Sequence, residues 1–183
     1  GQRAFGESYV QEAVAKAAEL GELGLEWHFI GPLQANKTRP VAENFAWVHS
    51  VDRLKIAERL ATQRPADLPP LQVCIQVNVS GEASKHGVPP DEALALARAV
   101  SGLPSLKLRG FMAIPEPSPE LAVQHARFRA LAELLATAPE VAESAFVGEG
   151  LPPAGHPAAL AWFFAATLHQ FGFWHEHDGR YAG

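Results

Sequence analysis

A chain of 183 residues, 48% hydrophobic and 19% charged, is long enough for one domain with a substantial core and too balanced for wholesale disorder. Its formal charge of −5 leaves no basic footprint for nucleic acid. A single cysteine, Cys74, excludes an intrachain disulfide. No apolar stretch approaches the roughly 18 residues of a membrane span, and no signal segment is expected at the start, so the expectation is a cytoplasmic protein.

Short apolar runs alternate with amphipathic segments, the pattern of βα units around a parallel sheet. Residues 3–5 form the first predicted strand, and alanines and leucine at helical spacing follow over 9–22. Residues 26–30 are the second strand, with a helix over 36–44. A third strand spans 47–51, and Asp52 then serves as N-cap of a helix running toward Gln63. The run LQVCIQVNV at 71–79 is nearly continuous in Val, Ile and Leu, which suits a strand buried on both faces. Cys74 inside it reads as an inert core thiol. Pro89-Pro90-Asp91-Glu92 opens a fourth helix, with proline and acids where a helix N-terminus favours them. Residues 106–114 are the fifth strand. Ser118 then caps a helix with Pro119 at its first position and Leu121, Phe128, Leu131 and Leu135 as its apolar stripe. Beyond about Ala138 the chain turns rich in proline, glycine and alanine, as in a linker, and an apolar helix is expected over 158–171. The predicted division is a barrel unit at 1–138 and a tail at 139–183.

In such a scaffold functional groups sit where strands end and loops begin. That rule collects Glu7 and Ser8, His28 with Asn36 and Lys37, His49 and Ser50, Asn78 with Lys85, and Met112. Lysines, amides and imidazole without a carboxylate pair suit a phosphorylated, aromatic or carbonyl-bearing ligand better than a metal or a glycoside. Lys37 can pair with phosphate or polarise a carbonyl, and Asn36 can bond a ring substituent. The plainer alternative makes Asn36 a helix cap and Lys37 a solvated first-turn charge. His28, between Trp27 and Phe29, either stacks on a ligand or is a satisfied core histidine. Lys85 in SGEASKHG belongs either to an anion cradle or to an ordinary solvated loop. His175 and His177 offer two metal ligands at most, so no metal site is expected. Serine hydrolases, Rossmann dehydrogenases and thiol redox enzymes lose support, since Gly-x-Ser-x-Gly, a dinucleotide glycine fingerprint and Cys-x-x-Cys are all missing.

Five motifs follow one another in order: FGESYVQEA at 5–13, LEWHFIGPLQANKTR at 25–39, WVHSVDRLKIAERL at 47–60, VCIQVNVSGEASKHG at 73–87 and LRGFMAIP at 108–115. Over residues 1–136 this series resembles the pyridoxal-phosphate homeostasis proteins, which have an alanine-racemase-type N-terminal barrel. The resemblance implies an α/β fold, a partial (β/α)8 TIM-type barrel of fold type III. Five βα units would correspond to family strands 2 to 6, followed by an unrelated helical C-terminal tail. It further implies binding of pyridoxal 5'-phosphate (PLP) by a non-catalytic protein of vitamin B6 and amino-acid homeostasis.

The family's Gly-Glu-Asn turn falls on Gly6, Glu7 and Ser8, with Ser8 a departure that shortens a cofactor-facing hydrogen-bonder. The cofactor-binding residues implied are Ser8, His28, Asn36, Lys37, Lys85 and Met112. The family's Schiff-base lysine lies upstream of the motif at Phe5 and so is not in this chain. Its Ser-Met-Gly-Met-Ser phosphate loop and Arg-Ile-Gly strand have no counterpart after Ala136. A truncated, cofactor-deficient form is therefore one expectation. The alternatives are a racemase or decarboxylase-like barrel enzyme, for which no Tyr or Cys in the matching strands offers a second acid/base group, and a degenerate scaffold without cofactor. The expected partner is a small-molecule cofactor, with no nucleic acid and no membrane. A monomer is expected, its open barrel edges being the surfaces through which it could oligomerise.

Overall fold

The computed structural model describes residues 1–81, 86–115 and 118–138. Five parallel strands, β1 (Ala4–Glu7), β2 (Glu26–Phe29), β3 (Trp47–Val51), β4 (Leu71–Gln76) and β5 (Leu106–Met112), lie side by side in chain order. Helices α1 (Val10–Glu19), α2 (Thr38–Asn44), α3 (Leu54–Gln63), α4 (Pro90–Ser101) and α5 (Leu121–Ala136) follow them in turn. Parallel crossovers are right-handed. When each one steps to the next strand in the same direction, all helices fall on one face, and strand twist curls the sheet away from them. The fold is α/β, a partial TIM-type barrel of five βα units.

The helix-covered face is one apolar core. Phe29, Val48, Val73, Ile75 and Phe111 on the strands pack beneath Val41, Ile56, Ala57, Leu60, Ala97 and Val100 on the helices. Burying a side chain such as Leu60 or Ile75 contributes about 2 kcal/mol. Phe29 and Phe45 meet edge to face at 5.5 Å, a specific contact within that layer.

Several expected boundaries shift for identifiable reasons. The strand expected to reach residue 79 ends at Gln76. Beyond it Val88 N donates to Gln76 O (2.8 Å) and Asn78 N to Val88 O (2.9 Å), so the chain folds back onto the end of β4. Gly87 permits this return: its φ is +120°, and a Cβ there would lie 2.7 Å from Asn78 N. Asp52 is not a helix cap. Arg53 holds that position without a side-chain cap bond, and the Asp52 carboxylate instead accepts from Arg53 Nη1 at 2.7 Å. Ser118 Oγ accepts from Glu120 N at 3.2 Å, but α5 begins only at Leu121, with Glu120 in the cap position. Its buried stripe is also shorter than expected, since Leu131 and Leu135 are buried while Leu121 is 64% exposed. The expected tail helix and His175 and His177 lie outside the described residues.

Candidate functional site

Paired residues of parallel strands share a face, because side chains alternate along each strand. The register pairs Ala4 with Glu26, Gly6 with His28, His28 with Trp47, Trp47 with Gln72, Cys74 with Gly110, and Gln76 with Met112. These residues form the concave face, opposite the helices. Cys74 and Met112 are buried yet stand outside the helix-packed apolar cluster, in keeping with that assignment.

Two bulges interrupt the register at mid-sheet. Val48 pairs with Val73 and Val51 with Ile75, so His49 and Ser50 together oppose the single residue Cys74. On the other side Val73 pairs with Leu108 and Cys74 with Gly110, which leaves Arg109 as the extra residue. Gly110, at φ +140°, supplies a backbone conformation that side chains disfavour. The bulges crowd polar residues against Cys74 from both neighbours. Burial pushes the Cys74 thiol up to about 12, the Arg109 charge opposing that rise, so the sulfur stays protonated and inert.

Around this point lies a connected polar and aromatic cluster. His28 Nδ1 is 2.9 Å from His49 Nε2, and His28 Nε2 is 2.9 Å from Glu26 Oε1. Trp47 stacks on His28, with centroids 5.3 Å apart and planes inclined by 8°, and lies 5.6 Å from the His49 ring. The Arg109 guanidinium sits 5.6 Å from the Trp47 ring centroid, while its Nε donates to Gln72 Oε1 at 2.7 Å. Burial, followed by the nearby His28 charge, lowers His49 from 6.5 to about 3. The hydrogen bond from His28 holds the Glu26 carboxyl below its usual range, against the opposing effect of burial. The Ser50 hydroxyl is buried and has no hydrogen-bond partner among the described residues. Such an orphan costs about 1–3 kcal/mol and is best relieved by a polar group from a ligand or a trapped water.

The residues singled out from the sequence fall into three groups. His28 and Met112 reach the concave face, Met112 beside Gln76 at the end of β5. Both ring nitrogens of His28 are engaged, so the satisfied-histidine alternative describes its hydrogen bonding. Ser8, Asn36 and Lys37 lie instead in strand-end loops. The Ser8 backbone abuts Gly31, where a Cβ would stand 2.8 Å from the Ser8 Cα and overlap its carbonyl oxygen. Asn36 and Lys37 occupy a 3-10 turn, Ala35–Lys37, and their side chains make no hydrogen bond or ion pair among the described residues. Asn36 caps no helix; Thr38 secures this turn, its Oγ1 donating to Ala35 O (3.0 Å) and accepting from Arg59 Nε (3.2 Å). Lys85 lies outside the described residues. Of the wider set, Glu7 is ion-paired with Lys16, and Asn78 Oδ1 accepts from Gly81 N.

Glu26, Trp47, Gln72 and Arg109 escaped the sequence reading, which looked only at the C-terminal ends of strands. The available signal was two-residue alternation: Glu26 shares a face with His28, and Trp47 with His49.

Comparison with known proteins places this geometry. Residues 1–147 match the family model described as alanine racemase, N-terminal domain. The chain is 68% identical over 135 residues to the pyridoxal phosphate homeostasis protein of Pseudomonas aeruginosa, covering 74% of this chain and 59% of that protein. It thus spans about three fifths of that relative's length. The structure of PipY from Synechococcus elongatus without PLP is similar with a TM-score of 0.73 at 35% identity, over 88% of this chain and 76% of that one. For PipY with PLP bound the TM-score is 0.67 at 38% identity, over 77% and 68% of the two chains. The chain belongs to the alanine racemase N-terminal domain family, and within it to the pyridoxal phosphate homeostasis proteins.

Proposed function

We propose that this chain forms the PLP-binding wall of a pyridoxal phosphate homeostasis protein and acts as a non-catalytic cofactor carrier in vitamin B6 and amino-acid balance. The observation that carries the reading is the concave face itself: a polar, aromatic-lined wall whose buried Ser50 hydroxyl is unsatisfied among the described residues, in a chain similar to a protein solved with PLP bound. The donor set fits the group. Among the described residues Lys37 supplies a cation without a competing carboxylate partner and Asn36 an uncommitted amide, and Ser8 adds a hydroxyl on the loop after β1. His28 offers a fixed ring and Met112 an adaptable apolar contact. When bound, the cofactor supplies a reactive aldehyde on an aromatic ring; the chain's own task is to orient it and keep water from it. A role for Lys85 belongs to the same reading.

An enzyme of this class needs a second acid/base group facing the ligand. On the concave face the Cys74 thiol is inert, His49 is held neutral, and His28 and Glu26 are engaged with each other, which among the described residues favours a carrier over a racemase or decarboxylase. The barrel unit is assigned to residues 1–138, with 139–183 a separate segment. A monomer in the cytoplasm completes the proposal, supported by the one buried thiol, as expected of a reducing compartment.

Titration with PLP, followed by absorbance, borohydride trapping and peptide mapping, tests the reading. Saturable binding at one equivalent, with modification confined to one lysine or with reversible binding alone, supports it. No spectral change and no trapped lysine at stoichiometric PLP removes the carrier function. Turnover of an amino acid by the loaded protein would instead establish the enzyme.

A further inference from the structure

The described residues enclose a second concavity, at the opposite end of the sheet from the loops that carry Ser8, Asn36 and Lys37. It has a volume of about 410 Å³ and lies where the chain enters β2, β3 and β4. Leu25, Trp27, Phe45, Leu68 and Pro69 give it an apolar body, and Arg64, Glu26 and Glu43 give it charge.

Arg64 is only 9% exposed, and the carbonyls around it use only part of its capacity. A guanidinium has five N–H donors. Nε spends one on Pro69 O, and Nη1 spends two on Ala42 O and Phe45 O. Both hydrogens of Nη2 remain without a partner among the described residues. Nη2 is nevertheless not one of the polar atoms sealed in the packed interior, so it opens on the cleft that Arg64 lines. Every bond of this guanidinium goes to a neutral carbonyl, and among the described residues it forms no ion pair. A charge so far withdrawn from water, with no counter-charge in contact, carries a desolvation cost that an approaching carboxylate relieves through charge-assisted bonds.

The two glutamates decide what kind of carboxylate fits. Their side chains are 48% and 42% exposed, Glu26 and Glu43 respectively. Glu26 is bonded to His28 through Oε1, which leaves Oε2 uncommitted among the described residues. Glu43 meets Arg39 at 3.6 Å, an exposed pair that binds its carboxylate weakly. Two carboxylates on one cleft repel a plain anion and attract a cation. One cation and two anions around an apolar body therefore match a ligand that carries both charges itself.

We propose that this cleft binds a small zwitterion with an apolar side chain, a free amino acid of the leucine type, its carboxylate on Arg64 Nη2 and its ammonium group toward Glu26 and Glu43. Hydrogen bonds and ion pairs hold the ligand, and no covalent step is involved. The site lies at the other end of the strands from the PLP-binding loops and stands independently of whether PLP is held there.

Calorimetric titration of the full chain with L-leucine near pH 7.5, in the absence of PLP, tests the proposal. The probes 4-methylpentanoate and 3-methylbutylamine keep the same apolar body with one charge each. Leucine should saturate one site below about 10 mM, and each one-charge probe should bind about tenfold more weakly or worse. Lack of saturation by leucine in that range overturns the proposal, as does a one-charge probe that binds equally well. Location is read with two variants that leave the bonds of Arg64 intact, each checked for an unchanged thermal midpoint. Glu43→Gln should weaken leucine several-fold without weakening 4-methylpentanoate, and Leu68→Trp, which narrows the cleft from its 37% exposed rim, should weaken both. Leucine affinity unchanged in both variants would put the bound amino acid elsewhere and sink the assignment.

Discussion

Arg64 Nη1 lies 2.7 Å from the carbonyl oxygen of Phe45, in the loop that leads from α2 into β3. The same nitrogen reaches Ala42 O at 2.7 Å, and Nε donates to Pro69 O at 2.9 Å. One guanidinium at the end of α3 thus satisfies carbonyls released by the end of α2 and by the loop before β4. Arg64→Met keeps the stem and removes the donors. It is expected to cost about 2–4 kcal/mol, read as a lowered urea midpoint with an unchanged slope, while Arg64→Lys recovers only part because an ammonium cannot span three acceptors in that fork.

Stability should fall as the solution is acidified. His49, lowered to about 3 from 6.5, is neutral in the fold, while the unfolded chain takes up its proton below 6.5. The unfolded state binds more protons between these values, so the contribution of neutral His49 is complete above pH 6.5 and is lost as pH falls toward 3. Glu26, whose carboxyl is also lowered, adds to the trend with the same sign at more acidic pH. The expected loss is about 2 kcal/mol between pH 7 and pH 5, measured by urea unfolding at both values. In His49→Gln the slope with pH should be markedly shallower.

Cys74 should be silent toward thiol reagents. With its thiol raised to about 12 by burial, the thiolate fraction near neutrality is negligible, and no reagent reaches it without opening of the sheet. A disulfide dye should label it only in denaturant, and rapid labelling of the folded protein would place Cys74 at an accessible site.

At position 31 an added methyl group has nowhere to go. Its collision is with the Ser8 backbone, which cannot rotate away as a side chain would. Gly31→Ala is expected to separate the loops after β1 and β2 and to destabilise by about 1–3 kcal/mol, visible as a lower thermal midpoint. Under the proposed function, PLP affinity should fall too, because Ser8 and the Asn36–Lys37 turn flank this contact.

Much of the architecture could be read from the chain. The expected strand over 47–51 coincides with β3 (Trp47–Val51), and all five strands and five helices occur where apolar periodicity located them. Ends were less legible. Asp52 resembles an N-cap by type, yet the competing 2.7 Å bond with Arg53 claims its carboxylate. Such choices depend on which neighbour arrives in space, and local sequence does not encode them.

What the sequence determined by itself was the alternation of elements, and with it a parallel α/β wall, together with the ordered motifs that mark the family. Tertiary structure alone decided which polar residues meet. His28 and His49 come from different strands, and their pairing depends on strand register. The two bulges beside Cys74 shift the registers of β3 against β4 and of β4 against β5 by one residue each, bringing Ser50 and Arg109 to the centre. A period of two residues predicts faces, but a single inserted residue shifts every side chain beyond it. Only the assembled sheet therefore shows that Glu26, His28 and His49 form one chain of hydrogen bonds.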